Sequence, residues 1–245
     1  MVITKDCIHR LAYDVKYINN NPLDKNNIFY KHDDDNILKG YAMIIGNKDT
    51  PYYNGIYFFE FNFPENYPYE PIKVNFITND GKMRFNPNLY VNGKVCLSVL
   101  NTWSGEGWTS CQNISSILII LSTIFNEEPL INEPGINKNN VNVKKYNLLV
   151  EYKNIEFSIL KQYNILEKLI ENPDINNLFY NFTYFIPKIK DHFIKNKKNI
   201  INSIDNLDKL IEKNNKINVC TYNLEYLLDI DNLRKNTINF FNKIN

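Results

Sequence analysis

The stretch NPNLYVNGKVCLS, residues 86–98, interrupts the regular hydrophobic pattern of this chain and decides how its fold is interpreted. It lies within residues 79–108, a segment that contains four glycines, one proline and both tryptophans of the protein. An irregular loop of this length inside a compact domain usually carries function. Taken alone, Cys96 would most often be a small buried hydrophobe, so its role depends on the sequence around it.

Upstream of this loop, four stretches rich in β-branched and aromatic residues predict strands. Short turns such as Asp49-Thr50-Pro51 and Asn54-Gly55 join them, so an antiparallel meander is expected. Before the strands, an apolar stripe at helical spacing, closed by Pro22, predicts an amphipathic first helix. The predicted strands are 28–30, 37–45, 56–63 and 72–77, and the stripe consists of Ile8, Leu11, Ala12, Val15 and Ile18.

Downstream of the loop, residues 114–125 are apolar on all sides and predict a buried helix, capped by Asn113 or Ser110. After Val141 the pattern is helical almost to the end of the chain. The sequence therefore predicts an α+β fold with an N-terminal helix, a four-stranded antiparallel meander, a long loop, a buried central helix and an α-helical C-terminal extension. Its helices are indicated by Tyr146 to Leu166 with an end at Pro173, by Leu178, Phe182, Phe185, Ile189 and Phe193 with a kink at Pro187, and by Leu224, Leu227, Leu228, Leu233, Ile238 and Phe241.

The composition limits the partners and the cellular compartment that are expected for the protein. Lys and Arg total 28 against 27 acidic residues, and a formal charge of +1 favours neither nucleic acid nor an anionic membrane as a partner. Residues 1–10 lack the apolar core of a signal peptide, and the longest apolar run, around 117–121, is far shorter than the roughly 20 residues that span a bilayer. The four cysteines show neither metal-ligand spacing nor a compact disulfide framework, so no metal site and a reducing compartment are expected.

The loop resembles the catalytic core of the ubiquitin-conjugating enzymes. In that family a His-Pro-Asn triplet precedes the catalytic cysteine, with the triplet's Asn eight residues before it, and Asn88 and Cys96 reproduce this spacing. Tyr67-Pro68-Tyr69-Glu70-Pro71 resembles the element that opens the family's fourth strand. Each piece alone is a weak signal, but together and in this order they are highly specific.

The sequence departs from the family at Asn86, which stands where the family has His. Like His, an Asn side chain can both donate and accept hydrogen bonds. The large members lettered class Z are similar in having Asn-Pro-Asn, and the likeness includes Asn132-Glu133-Pro134-Gly135 and a helical C-terminal tail. The resemblance implies a catalytic core of the ubiquitin-conjugating (UBC) fold at residues 1–165. It also implies a helical extension, residues 166–245, that packs on this core.

The resemblance implies catalytic roles for Cys96, Asn88 and Glu133. Cys96 would carry the modifier, because a thiolate can take an acyl group from another thioester. Asn88 would donate its side-chain amide to the oxyanion, and the alternative is an amide that pins the loop backbone. Glu133 would assist deprotonation of the attacking amine, with Asn132 as a polar second choice and a solvated loop carboxylate as the alternative.

Further roles follow from the same resemblance. Asn86 and Pro87 would shape the active-site loop, and Tyr69 would form a ligase-binding surface together with Thr109 and Ser110. Packing is expected of Trp103, Trp108, Tyr67, Pro68 and Pro71, and Cys7, Cys111 and Cys220 are expected to be inert. Arg10 and Lys16 would face the activating enzyme or simply be solvated.

The implied partners are ubiquitin or a ubiquitin-like modifier, an activating enzyme, a ubiquitin ligase and a protein substrate. We expect a monomer in the cytoplasm or nucleus (host cytoplasm for a viral protein) without a bound cofactor, because the activating enzyme consumes the ATP. Three alternatives remain: an inactive or weak UBC-fold binding module or adaptor, a thiol hydrolase, and a helical scaffold. The hydrolase is disfavoured because His9, His32 and His192 lie outside the loop, and a scaffold explains only residues 166–245.

Overall fold

A computed structural model describes residues 2–211 and 215–244 and divides the chain into two compact units. The first unit consists of the chain up to Ile44 together with Tyr57–Phe125. The second consists of Ile45–Ile56 and the chain from Asn126 onward. This division by packing differs from the division at residue 165 between a catalytic core and its extension, and the latter stays a prediction.

The first unit contains the predicted meander. Its sheet has the strand order β1-β2-β3-β4, and the pairs β1–β2 and β3–β4 are antiparallel, with Ile28 opposite Ile44 and Phe59 opposite Phe76. The α+β prediction with a four-stranded antiparallel sheet is confirmed. The elements are α1 (Lys5–Asn20), β1 (Ile28–His32), β2 (Lys39–Ile45), β3 (Ile56–Asn62), β4 (Lys73–Phe76) and α2 (Ile114–Thr123).

The buried face of α1 differs from the predicted stripe. Ile8 is 43% exposed and Ala12 is exposed, whereas the buried positions are Cys7, Leu11, Asp14 and Ile18. The difference arises because Asp14 is buried, and a hydrophobic pattern assigns an aspartate to the solvent side. Its carboxylate accepts hydrogen bonds from Arg10 Nε at 2.9 Å and from the hydroxyl of Tyr67.

Helix α2 begins as predicted, because Asn113 caps it. The Asn113 side chain accepts the N–H of Ser116 at 2.8 Å, and the Ser116 hydroxyl accepts the N–H of Asn113 at 2.9 Å, which forms a capping box. The helix ends at Thr123 and is not buried on every side, since Ile119 is 47% exposed. Its inner face, which includes Ile117 and Leu121, is fully buried.

The second unit is mostly helical, with a small sheet. Aromatic rings form its centre: Tyr163 lies 5.3 Å from Phe240 and 6.0 Å from Phe193, measured between ring centroids. Aromatic contacts of this kind add to the stabilisation that burial provides. The elements are α3 (Asn142–Lys153), a π-helical segment (Asn154–Lys161), α4 (Gln162–Glu171), α5 (Ile186–Leu210), β5 (Lys216–Val219), β6 (Leu224–Leu227) and α6 (Ile230–Ile244).

Three helical predictions in this unit are wrong. Leu224 and Leu227 lie in β6, which pairs antiparallel with β5, because residues 216–219 alternate between exposed and buried and Asn223 takes the left-handed conformation that reverses the chain. Leu178 lies outside any helix and is 73% exposed. Pro187 does not kink a helix but stands in the first turn of α5, where its missing N–H costs nothing.

None of the helices in residues 2–211 and 215–244 combines the length and apolar character needed to cross a membrane.

Candidate active site

The loop that precedes Cys96 is folded back on itself by short pairings. Leu89 forms isolated bridges with Asn86 and with Val95, and Lys94 bridges to Asn75 of β4. The turn between these pairings requires Gly93, whose φ of 87° lies in the left-handed region. These contacts bring residues 86–89 alongside residues 94–96 within the first unit.

Two hydrogen bonds, one in each direction, join Cys96 and Asn88. The backbone N–H of Cys96 donates to the carbonyl oxygen of Asn88 at 2.8 Å, and Asn88 Nδ2 donates to the carbonyl oxygen of Cys96 at 2.7 Å. The Asn88 amide therefore pins the backbone at the cysteine in this structure. An amide carries two N–H donors, and the second has no hydrogen-bond partner among the residues that the structure describes.

The Cys96 thiol is buried and lies against a polar turn. Its Sγ is 3.2 Å from the carbonyl oxygen of Thr102, and the residue as a whole is 4% exposed. The Thr102 hydroxyl accepts the N–H of Leu97 at 2.9 Å and lies 2.8 Å from the carbonyl oxygen of Val95. Residues 95–97 are thus held from both sides, by Asn88 and by Thr102.

Asn86 and Pro87 lie buried beneath this arrangement. Asn86 is 0% exposed, its Oδ1 accepts the N–H of Asn88 at 2.9 Å, and its Nδ2 donates to the carbonyl oxygen of Ile124 at 2.7 Å. One side chain therefore connects the loop to the end of α2. These contacts use both a donor and an acceptor at this position, where the ubiquitin-conjugating enzymes have His.

Glu133 belongs to the second unit. Its carboxylate accepts a hydrogen bond from the hydroxyl of Tyr222, and its backbone N–H donates to the carbonyl oxygen of Leu130 at 3.1 Å. The neighbouring Asn132 accepts a hydrogen bond from Asn126 Nδ2 at 3.0 Å. Glu133 is therefore not a merely solvated loop carboxylate, and its role in deprotonation stays a prediction.

The predicted ligase-binding residues lie at the surface of the first unit. Tyr69 is 65% exposed, and its hydroxyl donates to Asp6 at 3.0 Å. Thr109 and Ser110 are also exposed. Trp103 is 50% exposed, so the prediction that it packs is wrong.

Arg10 has a role that the sequence did not reveal. Its guanidinium donates to the carbonyl oxygens of Ser110 at 2.7 Å and Gln112 at 2.6 Å, in addition to Asp14. It thereby attaches α1 to the turn before α2. Nearby, Trp108 packs as predicted, and its Nε1–H donates to the carbonyl oxygen of Pro68 at 2.7 Å.

No arrangement for a thiol hydrolase is present among the described residues of the first unit. His32 is engaged elsewhere, with Nε2 2.9 Å from the carbonyl oxygen of Ile37 and Nδ1 2.8 Å from the hydroxyl of Tyr30. The His9 side chain forms no hydrogen bond with Cys96. Residues 2–211 and 215–244 likewise contain no cluster of three His, Cys, Asp or Glu side chains that could hold a metal ion.

Comparison with known proteins places this site in a family. A family model described as ubiquitin-conjugating enzyme matches residues 10–156. "Ubiquitin-conjugating enzyme E2 Z" of Xenopus tropicalis is 35% identical over 174 residues, which are 70% of this chain and 54% of the relative. The protein of the same name from Homo sapiens is 37% identical over 156 residues, which are 62% of this chain and 44% of the relative.

The chain spans about half the length of these curated relatives. Among solved structures, human ubiquitin-conjugating enzyme E2 G1 is 27% identical, with a TM-score of 0.43, and the match covers 49% of this chain and 94% of that one. The matched residues of the family model include the whole loop around Cys96. This chain therefore belongs to the ubiquitin-conjugating enzyme family and is similar to its class Z members.

Proposed function

We propose that this protein accepts ubiquitin or a ubiquitin-like modifier from an activating enzyme as a thioester on Cys96. It then passes the modifier to a substrate lysine or to the cysteine of a ligase. The observation that carries the proposal is the placement of Cys96 between the Asn88 amide and the Thr102 turn, in a chain of this family.

In the first step, the Cys96 thiolate attacks the carbonyl carbon of the modifier's C-terminal thioester on the activating enzyme. A new C–S bond forms, the old one breaks, and the activating enzyme's thiolate leaves. One thioester replaces another, so the exchange is nearly balanced in energy. The hydrogen bonds of Asn88 and Thr102 to residues 95–97 fix the position of the Cys96 sulfur. Less conformational freedom is therefore lost when the reacting groups come together.

In the second step, a neutral lysine amine attacks the thioester carbonyl. A C–N bond forms, the C–S bond breaks, and the proton that the amine loses passes to the departing Cys96 thiolate or to water. Negative charge develops on the carbonyl oxygen, and the second N–H of the Asn88 amide is the donor proposed for it. The first N–H stays on the Cys96 carbonyl oxygen and fixes the direction of the amide. Donors already oriented in this way need no rearrangement as the charge appears.

The same proposal assigns the surface around Tyr69, Thr109 and Ser110 to a ligase. Tyr69 is a large exposed aromatic side chain, of the kind that is enriched at protein interfaces. A location in the cytoplasm or nucleus belongs to the proposal too. It is supported by the four cysteines, all of which are free thiols.

The test is a loading assay, in which loading means formation of the thioester. The full chain is combined with ATP, an activating enzyme and one modifier at a time, and the products are separated with and without reductant. An adduct that disappears with reductant, and that is discharged by free lysine, is the expected result. If no modifier is loaded while a known conjugating enzyme is loaded in the same mixture, the protein is a binding module or adaptor instead.

Ending the chain at residue 165 is expected to keep part of the loading activity and to lower both stability and solubility. Cys96 and Asn88 remain, but Tyr163 loses the rings of Phe193 and Phe240 that pack against it. A fully buried aromatic or aliphatic side chain contributes about 1.5–3 kcal/mol, and newly exposed apolar surface promotes association. Thermal unfolding, light scattering and the loading assay measure the three effects.

A chain that ends at Asp229, before α6, is the matched control for this truncation. It loses Phe240 but keeps Phe193, so its stability is expected to lie between those of the other two chains. The chain that ends at residue 165 could instead be as soluble and stable as the full chain and prefer the same modifier. This result would show that the extension is a separate module.

A further inference from the structure

A cleft of about 740 Å³, lined by both polar and apolar groups, lies within the second unit, between α3, α5 and the loop at residues 48–53. Helix α3 contributes Asn147 and Glu151, and α5 contributes Asn202, Ser203 and Asn206. Residues three and four positions apart lie on one face of a helix. Each helix therefore turns several polar side chains, and one leucine, towards the cleft.

The walls of the cleft are fixed by hydrogen bonds at its edges. Asn147 Nδ2 donates to the carbonyl oxygen of Glu127 at 2.8 Å, and Asn199 Nδ2 donates to the hydroxyl of Tyr53 at 3.2 Å. Both bonds are within the second unit. The cleft is thus a preformed cavity of the size that peptide and small-molecule sites have.

Four polar side chains of the cleft are unpaired. In the described part of the chain, the side chains of Glu151, Asn202, Ser203 and Asn206 have no hydrogen-bond or ion-pair partner. Asn202 and Asn206 are exposed, so their amide groups are accessible to a ligand that enters the cleft. A ligand with several hydrogen-bond donors would pair with the oxygens of these side chains.

Glu151 is the charged group of the cleft that matters most for the occupant. It also lines a small apolar recess with Ile155, Ile159 and Ile200, and burial raises the pKa of its carboxyl to about 7. The other charged groups that line the cleft are Lys144 on the same helix, Lys48 and Asp49 on the loop, and Glu127, whereas α5 contributes none. Above about pH 7, where the Glu151 carboxyl is ionised, three carboxylates face two ammonium groups, and this balance favours a cation as the occupant.

We propose that this cleft binds a guanidinium group, presented as the side chain of an arginine in a peptide segment of a partner protein. A guanidinium offers five N–H donors in a plane, which suits a carboxylate together with nearby amide and hydroxyl oxygens. The carboxylate of Glu151 forms the charged, bidentate end of the contact. The cleft is much larger than one guanidinium, so residues on either side of the arginine are accommodated as well. The inference is independent of the thioester chemistry at Cys96.

The probe is the blocked tripeptide acetyl-Gly-Arg-Gly-amide, titrated into the full chain by calorimetry. Its control is the same peptide with citrulline, which has nearly the same shape but no charge. The arginine peptide is expected to bind at least about tenfold more tightly than the citrulline peptide. Only the ionised Glu151 carboxyl pairs with the cation, and this carboxyl titrates near pH 7. The affinity of the protein for the arginine peptide is therefore expected to rise about tenfold between pH 6 and pH 8.

Two variants complete the test. Glu151→Gln keeps the shape and hydrogen-bonding capacity of the side chain but removes the charge, so at least about a tenfold loss of affinity and the loss of the pH dependence are expected. Glu171→Gln, at an exposed position of α4 outside the cleft, is expected to bind like the native protein. Thermal unfolding of both variants establishes that they are folded.

The proposal is overturned if the native protein binds no arginine peptide at millimolar concentration, or if the citrulline peptide binds equally well. It is overturned equally if Glu151→Gln binds like the native protein, because the contact would then lie elsewhere. A lysine peptide that matches the arginine peptide would show a general cation site and would contradict the choice of guanidinium.

Discussion

Replacing Cys96 by Ser is expected to abolish the reductant-sensitive adduct in the loading assay and to leave at most a reductant-resistant ester. The reason is chemical: a thiolate exchanges readily with a thioester, whereas a serine hydroxyl is a far weaker nucleophile and its ester is not cleaved by thiols. The fold is expected to survive, because the change replaces one sulfur by an oxygen beside the carbonyl of Thr102. A gel run with and without reductant measures the result.

The other three cysteines provide the controls. Cys111 and Cys220 are exposed and free, so Cys111→Ser and Cys220→Ser are expected to load normally. Cys7 is fully buried in α1, with its Sγ 3.5 Å from the carbonyl oxygen of Pro64, and Cys7→Ser is also expected to load normally. Full loading of the Cys96→Ser protein as a reductant-sensitive thioester would remove the central proposal.

Asn88→Ala is expected to slow discharge to lysine by about 10²–10³-fold, the usual effect of losing one oxyanion donor. Loading from the activating enzyme is expected to change much less, because the oxyanion role concerns attack by the amine. The Asn88 amide also holds the carbonyl oxygen of Cys96, so the variant loses a loop contact as well. Separate measurement of loading and single-turnover discharge distinguishes these two losses.

Asn86→Ala is the matched control, two residues away in the same triplet. Asn86 is buried and holds the N–H of Asn88 and the carbonyl oxygen of Ile124, so its removal is expected to cost about 1–3 kcal/mol of folding free energy. Its effect is expected mainly in thermal unfolding. Equal and small effects of Asn88→Ala on loading and discharge would mean that Asn88 only shapes the loop.

Much of the first unit could be predicted because its determinants are local. The strands are marked by β-branched and aromatic runs, and α2 by an Asn that caps its own first turn. The resemblance to the ubiquitin-conjugating enzymes, which the family match confirms, depended on residues that lie close together in the sequence around Cys96. Local signals of this kind need no knowledge of the tertiary structure.

The features that the sequence did not predict depend on partners that are distant along the chain. Asp14 is buried on the inner face of α1 because Tyr67, 53 residues away, donates a hydrogen bond to it. Arg10 finds its carbonyl acceptors about a hundred residues later, at Ser110 and Gln112. A hydrophobic pattern places such residues in solvent, because it contains no information about the group that satisfies them.

The hairpin of β5 and β6 shows a different limit. Leucines at 224, 227 and 228 match a helical spacing, but only two of the four residues of β5 are buried, and each strand is four residues long. Alternation over so few residues is too short to outweigh an apparent helical stripe. The decisive residue is Asn223, which reverses the chain in the left-handed conformation.

The contact between Tyr222 and Glu133 has a consequence for how shortened chains are compared. Removing the C-terminal part also removes the phenol that donates to this carboxylate, so a cut at residue 165 alters the surroundings of Glu133 as well as shortening the protein. A difference in the rate of discharge to lysine between the two chains would therefore have two possible causes. The full-length Tyr222→Phe protein, which loses the hydroxyl alone, is the reference that separates these two causes.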